Sequence, residues 1–205
     1  GCNLRCPFCH NALLVTRLGE SPTLSEDEVL CFLSSRKGLL DAMVLSGGEP
    51  LMHPDAVDFL EKVRQLGFLI KVDTNGCYPD ALKRLLDRNL ADYVAMDIKN
   101  RPEKYAETIG VPGFSMDTIE KSLNLLRSGG IPYELRTTAV RGLHTEADFD
   151  AIGRWIGDVP AYFIQRFVDS GQLLGSGFSA FSPEEMEHLL TTVRAYIPSA
   201  QLRGV

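Results

Sequence analysis

Residues 1–10 read GCNLRCPFCH and place Cys2, Cys6 and Cys9 at the spacing Cys-x3-Cys-x2-Cys. Three thiolates are one ligand short of a closed tetrahedral metal site. They can instead hold three irons of a 4Fe-4S cluster and leave the fourth iron open to another ligand. Because thiolate sulfur selects soft metals, the spacing predicts an open iron–sulfur site that takes part in catalysis.

A structural zinc site and a disulfide framework are the two alternatives for these cysteines. A closed zinc site needs a further ligand, usually from a second pair of Cys or His residues at short spacing. The rest of the chain offers only Cys31, Cys77 and four scattered histidines. Disulfides fit poorly too, because five cysteines in 205 residues are not the pattern of a stapled mini-protein. The iron–sulfur interpretation is therefore favoured.

The composition is that of an ordinary globular chain, with 205 residues, 44% of them hydrophobic and 23% charged, and we predict one domain over 1–205. The net charge of −6 and the lack of a basic stripe argue against a nucleic-acid partner. No apolar run approaches the ~20 residues of a membrane span, and no signal peptide is visible. We therefore predict no membrane partner and a cytoplasmic location. Since the chain opens one residue before Cys2, we expect a fragment that lacks at least one N-terminal strand.

Short apolar runs alternate with amphipathic stretches along the chain, which is typical of a parallel α/β fold. The predicted strands are 42–45, 68–72, 93–96, 133–137, 162–167 and a short one near 201–204. The predicted helices are 25–36, 54–66, 79–88, 116–128, 146–156 and one that begins with the capping box at Ser182. Residues 171–181 form the one glycine- and serine-rich loop and are a candidate mobile segment.

Polar motifs follow five successive predicted strands. They are Ser46-Gly47-Gly48-Glu49-Pro50, Asp73-Thr74-Asn75-Gly76, Asp97-Ile98-Lys99, Arg136 and Gln165-Arg166. Each has a purely structural interpretation, as a turn, a tight loop, a solvated ion pair or a satisfied sheet residue. However, the carboxyl ends of parallel strands share one rim, where sites form. We therefore expect these groups to converge there with the cysteine loop.

The chemistry of these motifs is coherent. Gly47-Gly48 lets the backbone approach a ligand closely, and the carboxylate of Glu49 can hold a cationic amine. Asp73 and Asn75 can bind ribose hydroxyls, and Arg136 can clamp a carboxylate with two hydrogen bonds. An amine, a carboxylate and a ribose beside an iron–sulfur cluster describe S-adenosylmethionine.

The cysteine loop and the Gly47-Gly48-Glu49-Pro50 motif also carry a family resemblance. Residues 2–9, with Phe8 just before the third cysteine, resemble the cluster loop of the radical S-adenosylmethionine (SAM) superfamily. Gly47-Gly48-Glu49-Pro50 is similar to the motif with which that superfamily binds the methionine amine. The resemblance implies an incomplete (β/α)6 barrel, here expected to lack its first strand.

The resemblance further implies roles for individual residues. Cys2, Cys6 and Cys9 would hold the cluster, whose fourth iron would be chelated by the amine and carboxylate of SAM. The implied SAM contacts are Gly48 and Glu49 at the amine, Phe8 near the adenine, and Lys99 and Arg136 beside the carboxylate. The other predicted cofactor-binding residues are Gly47, Asp73, Asn75 and Asp97. Activating enzymes of the pyruvate formate-lyase type also bind a monovalent cation with residues that match Asp73, Thr74 and Asp97.

A closer resemblance is to activating enzymes of glycyl-radical proteins. It rests on Cys9-His10-Asn11, Asp73-Thr74-Asn75-Gly76 and Met96-Asp97-Ile98-Lys99. Residues 96–110 (MDIKNRPEKYAETIG) are similar to the activating proteins of anaerobic ribonucleoside-triphosphate reductase. The family mechanism is reductive cleavage of SAM to methionine and a 5′-deoxyadenosyl radical, which abstracts hydrogen from a glycine of the partner. The implied partners are the reductase large subunit and a flavodoxin- or ferredoxin-type electron donor.

The sequence departs from the family pattern in two places and leaves two alternative functions open. Residues 163–168 (FIQRFV) lack the histidine that some activating enzymes have, which weakens a pyruvate formate-lyase-type assignment. The interval between the cysteine loop and Gly47 holds only Cys31, expected to be a buried helix residue, so one cluster is predicted. One alternative is nonetheless activation of pyruvate formate-lyase. The other is a radical SAM enzyme that acts on a small molecule, as deazapurine synthases do. A small-molecule enzyme predicts a closed polar pocket, whereas an activating enzyme needs a groove for a peptide loop.

Overall fold

The structure is a computed structural model that describes residues 1–16, 23–169 and 171–205. Its strands are β1 Ala42–Leu45, β2 Leu69–Thr74, β3 Tyr93–Asp97, β4 Tyr133–Ala139, β5 Tyr162–Arg166 and β6 Ala200–Arg203. They form one sheet in chain order, and the β1–β2, β4–β5 and β5–β6 pairs are parallel. Parallel neighbours need crossover connections, and helices provide them here. The predicted α/β fold with a parallel sheet is confirmed.

The strands extend further into the polar motifs than the sequence predicted. Asp73 and Thr74 are the last two residues of β2, and Asp97 is the last residue of β3. Apolar patterning ends before these residues, but backbone pairing continues, since the N–H of Ile98 still donates to the carbonyl of Arg136 at 2.7 Å. The three polar side chains are therefore held by strand geometry rather than by a loop.

Helices occupy the predicted intervals. They are α1 Ala12–Thr16, α2 Glu26–Ser35, α3 Ala56–Gln65, α4 Pro79–Asp87, α5 Pro102–Thr108, α6 Asp117–Ser128, α7 Glu146–Ile156 and α8 Pro183–Arg194. The capping box at the start of α8 forms as predicted, because Ser182 Oγ accepts from the N–H of Glu185 and the Glu185 carboxylate accepts from the N–H of Ser182. The sequence did not predict α1, α5 or the 3-10 turn Pro50–Met52.

The chain divides into two compact units. The first unit comprises Gly1–Asn3, Leu13–Ala95 and Asp117–Pro132, and the second comprises Leu4–Ala12, Met96–Met116 and Tyr133–Val205. The first unit has a buried core that includes Leu60, Val63, Ile70, Val72, Leu82, Leu85, Ile119 and Leu123. The core of the second unit includes Tyr105, Leu135, Phe149, Ile152, Tyr162, Ile164, Phe167 and Met186. The single domain over 1–205 stays a prediction.

Helix lengths bear on membrane association. Within residues 1–16, 23–169 and 171–205, no helix is both long and apolar enough to cross a membrane.

Candidate active site

The turn that follows β1 uses its two glycines for different reasons. Gly47 has a φ of +146°, which side-chain-bearing residues rarely adopt, and a Cβ there would meet no atom within 4 Å. Gly48 is packed against the main chain, because a Cβ there would lie 2.2 Å from the carbonyl oxygen of Gly1 and 3.1 Å from Cβ of Cys2. The sequence predicted that both glycines admit a ligand. The structure leaves open space at Gly47, whereas Gly48 admits the cysteine segment itself.

The carboxylate of Glu49 is buried, with 1% of the residue exposed. One oxygen accepts hydrogen bonds from Thr74 Oγ1 at 2.9 Å and from the N–H of Leu51 at 3.0 Å. The other accepts from the N–H of Asn75 at 2.6 Å. Both oxygens are thus bonded to protein groups, which fixes their positions and joins the turn after β1 to the end of β2. Binding of a ligand amine by Glu49 stays a prediction.

Asn75 connects this carboxylate to the first cysteine. Its side-chain amide donates to Asn3 Oδ1 at 2.9 Å and lies 3.7 Å from Cys2 Sγ, while its Oδ1 accepts from the N–H of Cys77 at 3.0 Å. The predicted contact of Asn75 with a ribose stays a prediction. The structure shows that it positions the Cys2 segment within the first unit.

Asp73 and Tyr78 complete the polar group of the first unit. Asp73 accepts a hydrogen bond from Ser46 Oγ at 3.4 Å and forms an ion pair with Lys71 at 3.6 Å. Tyr78 was not predicted as a site residue. Burial raises the pKa of its phenol, and the negative charges of Cys77, Glu49 and Cys2 raise it further. Its position two residues after the Asn75-Gly76 turn is the only sequence signal for it.

In the second unit, Cys6 and Cys9 lie on one tight turn. The N–H of Cys9 donates to the carbonyl of Cys6 at 3.0 Å, and the main chain on either side of Cys6 is bonded to other segments. The N–H of Arg5 donates to the carbonyl of Ile109 at 2.8 Å, and the carbonyl of Pro7 accepts from the N–H of Gly175 at 2.7 Å. Cys6 and Phe8 are buried, and Cys9 is half-buried.

The donor set fits an iron–sulfur cluster. None of the five cysteines forms a disulfide, and the three of the N-terminal segment offer soft thiolate ligands of the kind that such a cluster takes. Among the described residues, no group of three or more His, Cys, Asp or Glu side chains is arranged so that it could hold a metal ion. Ligation by Cys2, Cys6 and Cys9 therefore stays a prediction. Cys31 was expected to be buried, but it is exposed on α2.

Asp97, Lys99 and Arg136 form a compact charged group in the second unit. Asp97 accepts from Lys99 Nζ and from Arg136 Nε, both at 2.9 Å. Burial opposes ionisation of Asp97, but the charges of Lys99 and Arg136 outweigh it and hold the pKa of Asp97 below its ordinary value. Burial also opposes the charge of Lys99, but Asp97 and the Cys6 thiolate more than compensate and raise the pKa of Lys99. The group is therefore fully charged at neutral pH.

Two further charged residues, which the sequence did not predict, extend this group. Arg203 forms a two-point ion pair with Glu134 at 3.0 and 3.2 Å, and its guanidinium lies 3.7 Å from the ring centre of Phe163. Glu134 also lies 3.9 Å from Arg136. Glu134 and Arg203 are 69 residues apart in sequence, so no local pattern marks them as partners.

Comparison with known proteins bears directly on this arrangement. The family model described as "Radical SAM superfamily" matches residues 1–156. The chain belongs to the radical SAM superfamily. Membership implies a 4Fe-4S cluster and SAM as cofactors, and it identifies the chain as a radical SAM enzyme with the partial barrel of that superfamily.

Proteins similar to this radical SAM chain carry names that refer to different activities. A "putative glycyl-radical enzyme activating enzyme" of Methanocaldococcus jannaschii is 34% identical over 171 residues, which are 82% of this chain and 70% of that protein. The 7-carboxy-7-deazaguanine synthase of Halobacterium salinarum is 42% identical over 79 residues, which are 37% of this chain and 29% of that protein.

A solved structure confirms the fold. A domain of pyruvate-formate lyase-activating enzyme from Bacteroides vulgatus superposes with a TM-score of 0.63 at 17% identity. The match covers 80% of this radical SAM chain and 99% of that one. At this identity the likeness concerns the fold alone.

Proposed function

We propose that this radical SAM enzyme activates a glycyl-radical enzyme by generating the radical on a glycine of its partner. The observation that carries the proposal is the similarity to the Methanocaldococcus jannaschii protein, which extends over 82% of this chain. The segment Cys9-His10-Asn11 after the cysteine loop supports the same assignment.

The proposed partner is anaerobic ribonucleoside-triphosphate reductase. Support comes from residues 96–110, which resemble the activating proteins of that reductase and which include Asp97, Lys99 and helix α5. We also propose a flavodoxin- or ferredoxin-type electron donor. We also propose a cytoplasmic location, because none of the five cysteines forms a disulfide and thiols persist where the compartment is reducing.

We assign the cluster to Cys2, Cys6 and Cys9. The reduced cluster would supply the electron that cleaves the sulfonium of SAM. The chain's own residues bind and orient the substrate: Gly47 provides space beside the turn, and Glu49 holds the strand ends of the first unit in place. In this proposal the SAM amine lies at the turn of Gly47 and Glu49, Phe8 lies near the adenine, and Asp73 and Asn75 contact the ribose.

The charged group of the second unit suits a carboxylate. It contains the cations Lys99, Arg136 and Arg203 beside the two carboxylates of Asp97 and Glu134. Lys99 and Arg136 would attract the methionine carboxylate of SAM, and their ion pairs with Asp97 fix the directions of the two cations.

A monovalent cation bound by Asp73, Thr74 and Asp97 is a weaker proposal. Asp73 already pairs with Lys71, and Thr74 Oγ1 donates to Glu49. Asp97 is neutralised by two cations of its own unit. A cation would therefore have to compete with protein partners at each of these residues.

The second candidate function is a radical reaction on a small molecule. Its support is the 79-residue match to a 7-carboxy-7-deazaguanine synthase, which covers 37% of this chain. The first candidate is preferred because its relative matches more than twice as much of the chain.

The test is an electron paramagnetic resonance experiment on anaerobically reconstituted protein with SAM, dithionite and the reductase large subunit. We expect a glycyl-radical signal that is lost when Cys2, Cys6 or Cys9 is replaced by Ala. The matched controls C31A and C77A keep the signal, because they remove thiols outside the proposed ligand set. Formation of 5′-deoxyadenosine without the radical signal would reject the reductase as partner, and no cleavage by a well-loaded cluster would reject the function.

A further inference from the structure

Gly110 allows one segment of the second unit to lie directly against the main chain before Cys6. A Cβ on Gly110 would be 2.5 Å from the carbonyl oxygen of Arg5 and 3.2 Å from its carbonyl carbon. The carbonyl oxygen of the neighbouring residue Ile109 accepts a hydrogen bond from the N–H of Arg5 at 2.8 Å. The peptide group before Arg5 is therefore held by a hydrogen bond, and the next one, which joins Arg5 to Cys6, is sterically confined at Gly110.

Gly175 confines the main chain after Cys6 in the same way. Its N–H donates to the carbonyl of Pro7 at 2.7 Å, and a Cβ there would lie 2.9 Å from Cβ of Pro7 and 3.1 Å from Cε2 of Phe178. Gly175 has no positive φ, so close approach alone explains why a larger residue does not fit.

The loop that carries Gly175 is tied to the rest of its unit. Arg141 and Ser179 exchange two backbone hydrogen bonds, at 2.9 and 3.4 Å, and the Arg141 guanidinium lies 4.8 Å from the ring centre of Phe181. The sequence made residues 171–181 a candidate mobile segment. The mobility of the loop stays a prediction, and these contacts anchor the part of it that follows Gly175.

We infer that Gly110 and Gly175 are positioning residues that set the backbone of the Cys6–Cys9 turn for cluster binding. The inference deepens the proposed function and rests on it, because it takes Cys6 and Cys9 as cluster ligands. Ligands held in place before binding lose less conformational freedom when the cluster forms, so the two glycines favour cluster retention. The segment that they confine includes Cys6, of which 8% is exposed.

Two glycines of the same chain serve as matched controls. G110A and G113A both place alanine at a positive φ, +66° and +72°, but only Gly110 faces another atom within 4 Å. G175A and G153A both create a close contact without a positive φ, at 2.9 Å with Pro7 and at 2.8 Å with Tyr196. Each pair thus shares its general strain and differs in contact with the cysteine segment.

The first measurement is the alkylation rate of each thiol in cluster-free protein, followed by peptide mass spectrometry. We expect Cys6 to react about tenfold faster in G110A and G175A than in their controls, because overpacking destabilises the local structure that buries it. Cys31, which is exposed, serves as the internal reference and reacts at one rate throughout. Equal Cys6 rates in each variant and its matched control would overturn the inference.

The second measurement is the rate at which the reconstituted proteins lose iron to a chelator. We expect loss about tenfold faster from G110A and G175A than from G113A and G153A. If G175A does not fold by circular dichroism, the double variant P7G/G175A tests the same contact, because removing Cβ of Pro7 removes the nearest clashing atom. If this double variant loses iron faster than P7G alone, the alanine at position 175 acts without its contact with Cβ of Pro7. That result would overturn the role of Gly175.

The two failures are distinguishable. Wild-type protein that takes up no iron and sulfide would contradict the proposed function. Wild-type protein that binds a cluster while all four variants lose it at one rate would contradict the positioning role alone.

Discussion

The side-chain amide of Asn75 lies 3.7 Å from Sγ of Cys2 and donates to Asn3 at 2.9 Å. The residue that follows β2 therefore contacts the first cysteine of the proposed cluster site, and its own N–H is held by Glu49. Hydrogen bonds to the sulfur atoms are one of the factors that set the reduction potential of an iron–sulfur cluster.

Replacement of Asn75 by Ala is expected to lower the reduction potential of the cluster. The lost donor no longer stabilises the extra electron, and the expected shift is about 40 mV, the one-electron equivalent of a net hydrogen bond of about 1 kcal/mol. A redox titration followed by electron paramagnetic resonance measures it. The control N3A removes Asn3, the other hydrogen-bond partner of the Asn75 amide. An equal shift of the reduction potential in N3A would contradict a specific effect of Asn75 on Cys2.

The E49Q variant is expected to be less stable than wild type by about 2–3 kcal/mol. An amide presents a donor where the carboxylate accepts three hydrogen bonds, and the N–H groups of Leu51 and Asn75 cannot turn away. Urea unfolding of cluster-free protein measures the change. E187Q, on the exposed side of α8, is the control and is expected to leave the free energy of unfolding within about 0.5 kcal/mol. Equal stability of the two variants would show that the buried network contributes little.

The pair Glu134–Arg203 is expected to be coupled in a double-mutant cycle. R203M removes the two-point ion pair from the buried carboxylate of Glu134, and we expect a loss of about 2 kcal/mol because Arg203 itself is partly exposed. E134Q/R203M should lose less than the sum of the two single variants, with a coupling energy of about 1–2 kcal/mol. Simple additivity in urea unfolding would mean that the pair contributes no net stability.

Stability is expected to fall as the pH is lowered from 7 to 5.5. Burial lowers the pKa of His144, whose ring bonds with the carbonyl of Lys99 and the N–H of Val140. The unfolded chain therefore binds a proton near pH 6.5 that the folded chain does not, and the loss reaches about 1 kcal/mol at pH 5.5. H144Q keeps a donor and an acceptor without titrating, so its unfolding free energy should change less over this range. An equal pH dependence of both proteins would contradict the role of His144.

The strands were predictable to within about two residues because each is a short apolar run between polar segments. The errors have a common physical cause. Asp73, Thr74 and Asp97 end the apolar pattern, yet backbone pairing keeps them in the strands. Cys31 lies on a predicted helix, but the sequence alone could not show that its side of α2 is exposed.

Local sequence identifies the candidate site residues that occur at characteristic spacings. The three cysteines, the glycine pair with Glu49, and the residues that follow β2 and β3 are all recognisable within segments of a few residues. Type and spacing suffice there because thiolate ligation and tight turns impose short-range requirements.

Tertiary structure decided how those residues are supported. A side chain at position 48 would collide with the main chain of Gly1. A side chain at position 175 would collide with Pro7, which lies near the other end of the chain. Glu134 likewise meets Arg203 only because the strands that carry them lie in one sheet. Contacts of this kind depend on which segments fold against each other, and no property of the individual residues encodes that in a local pattern.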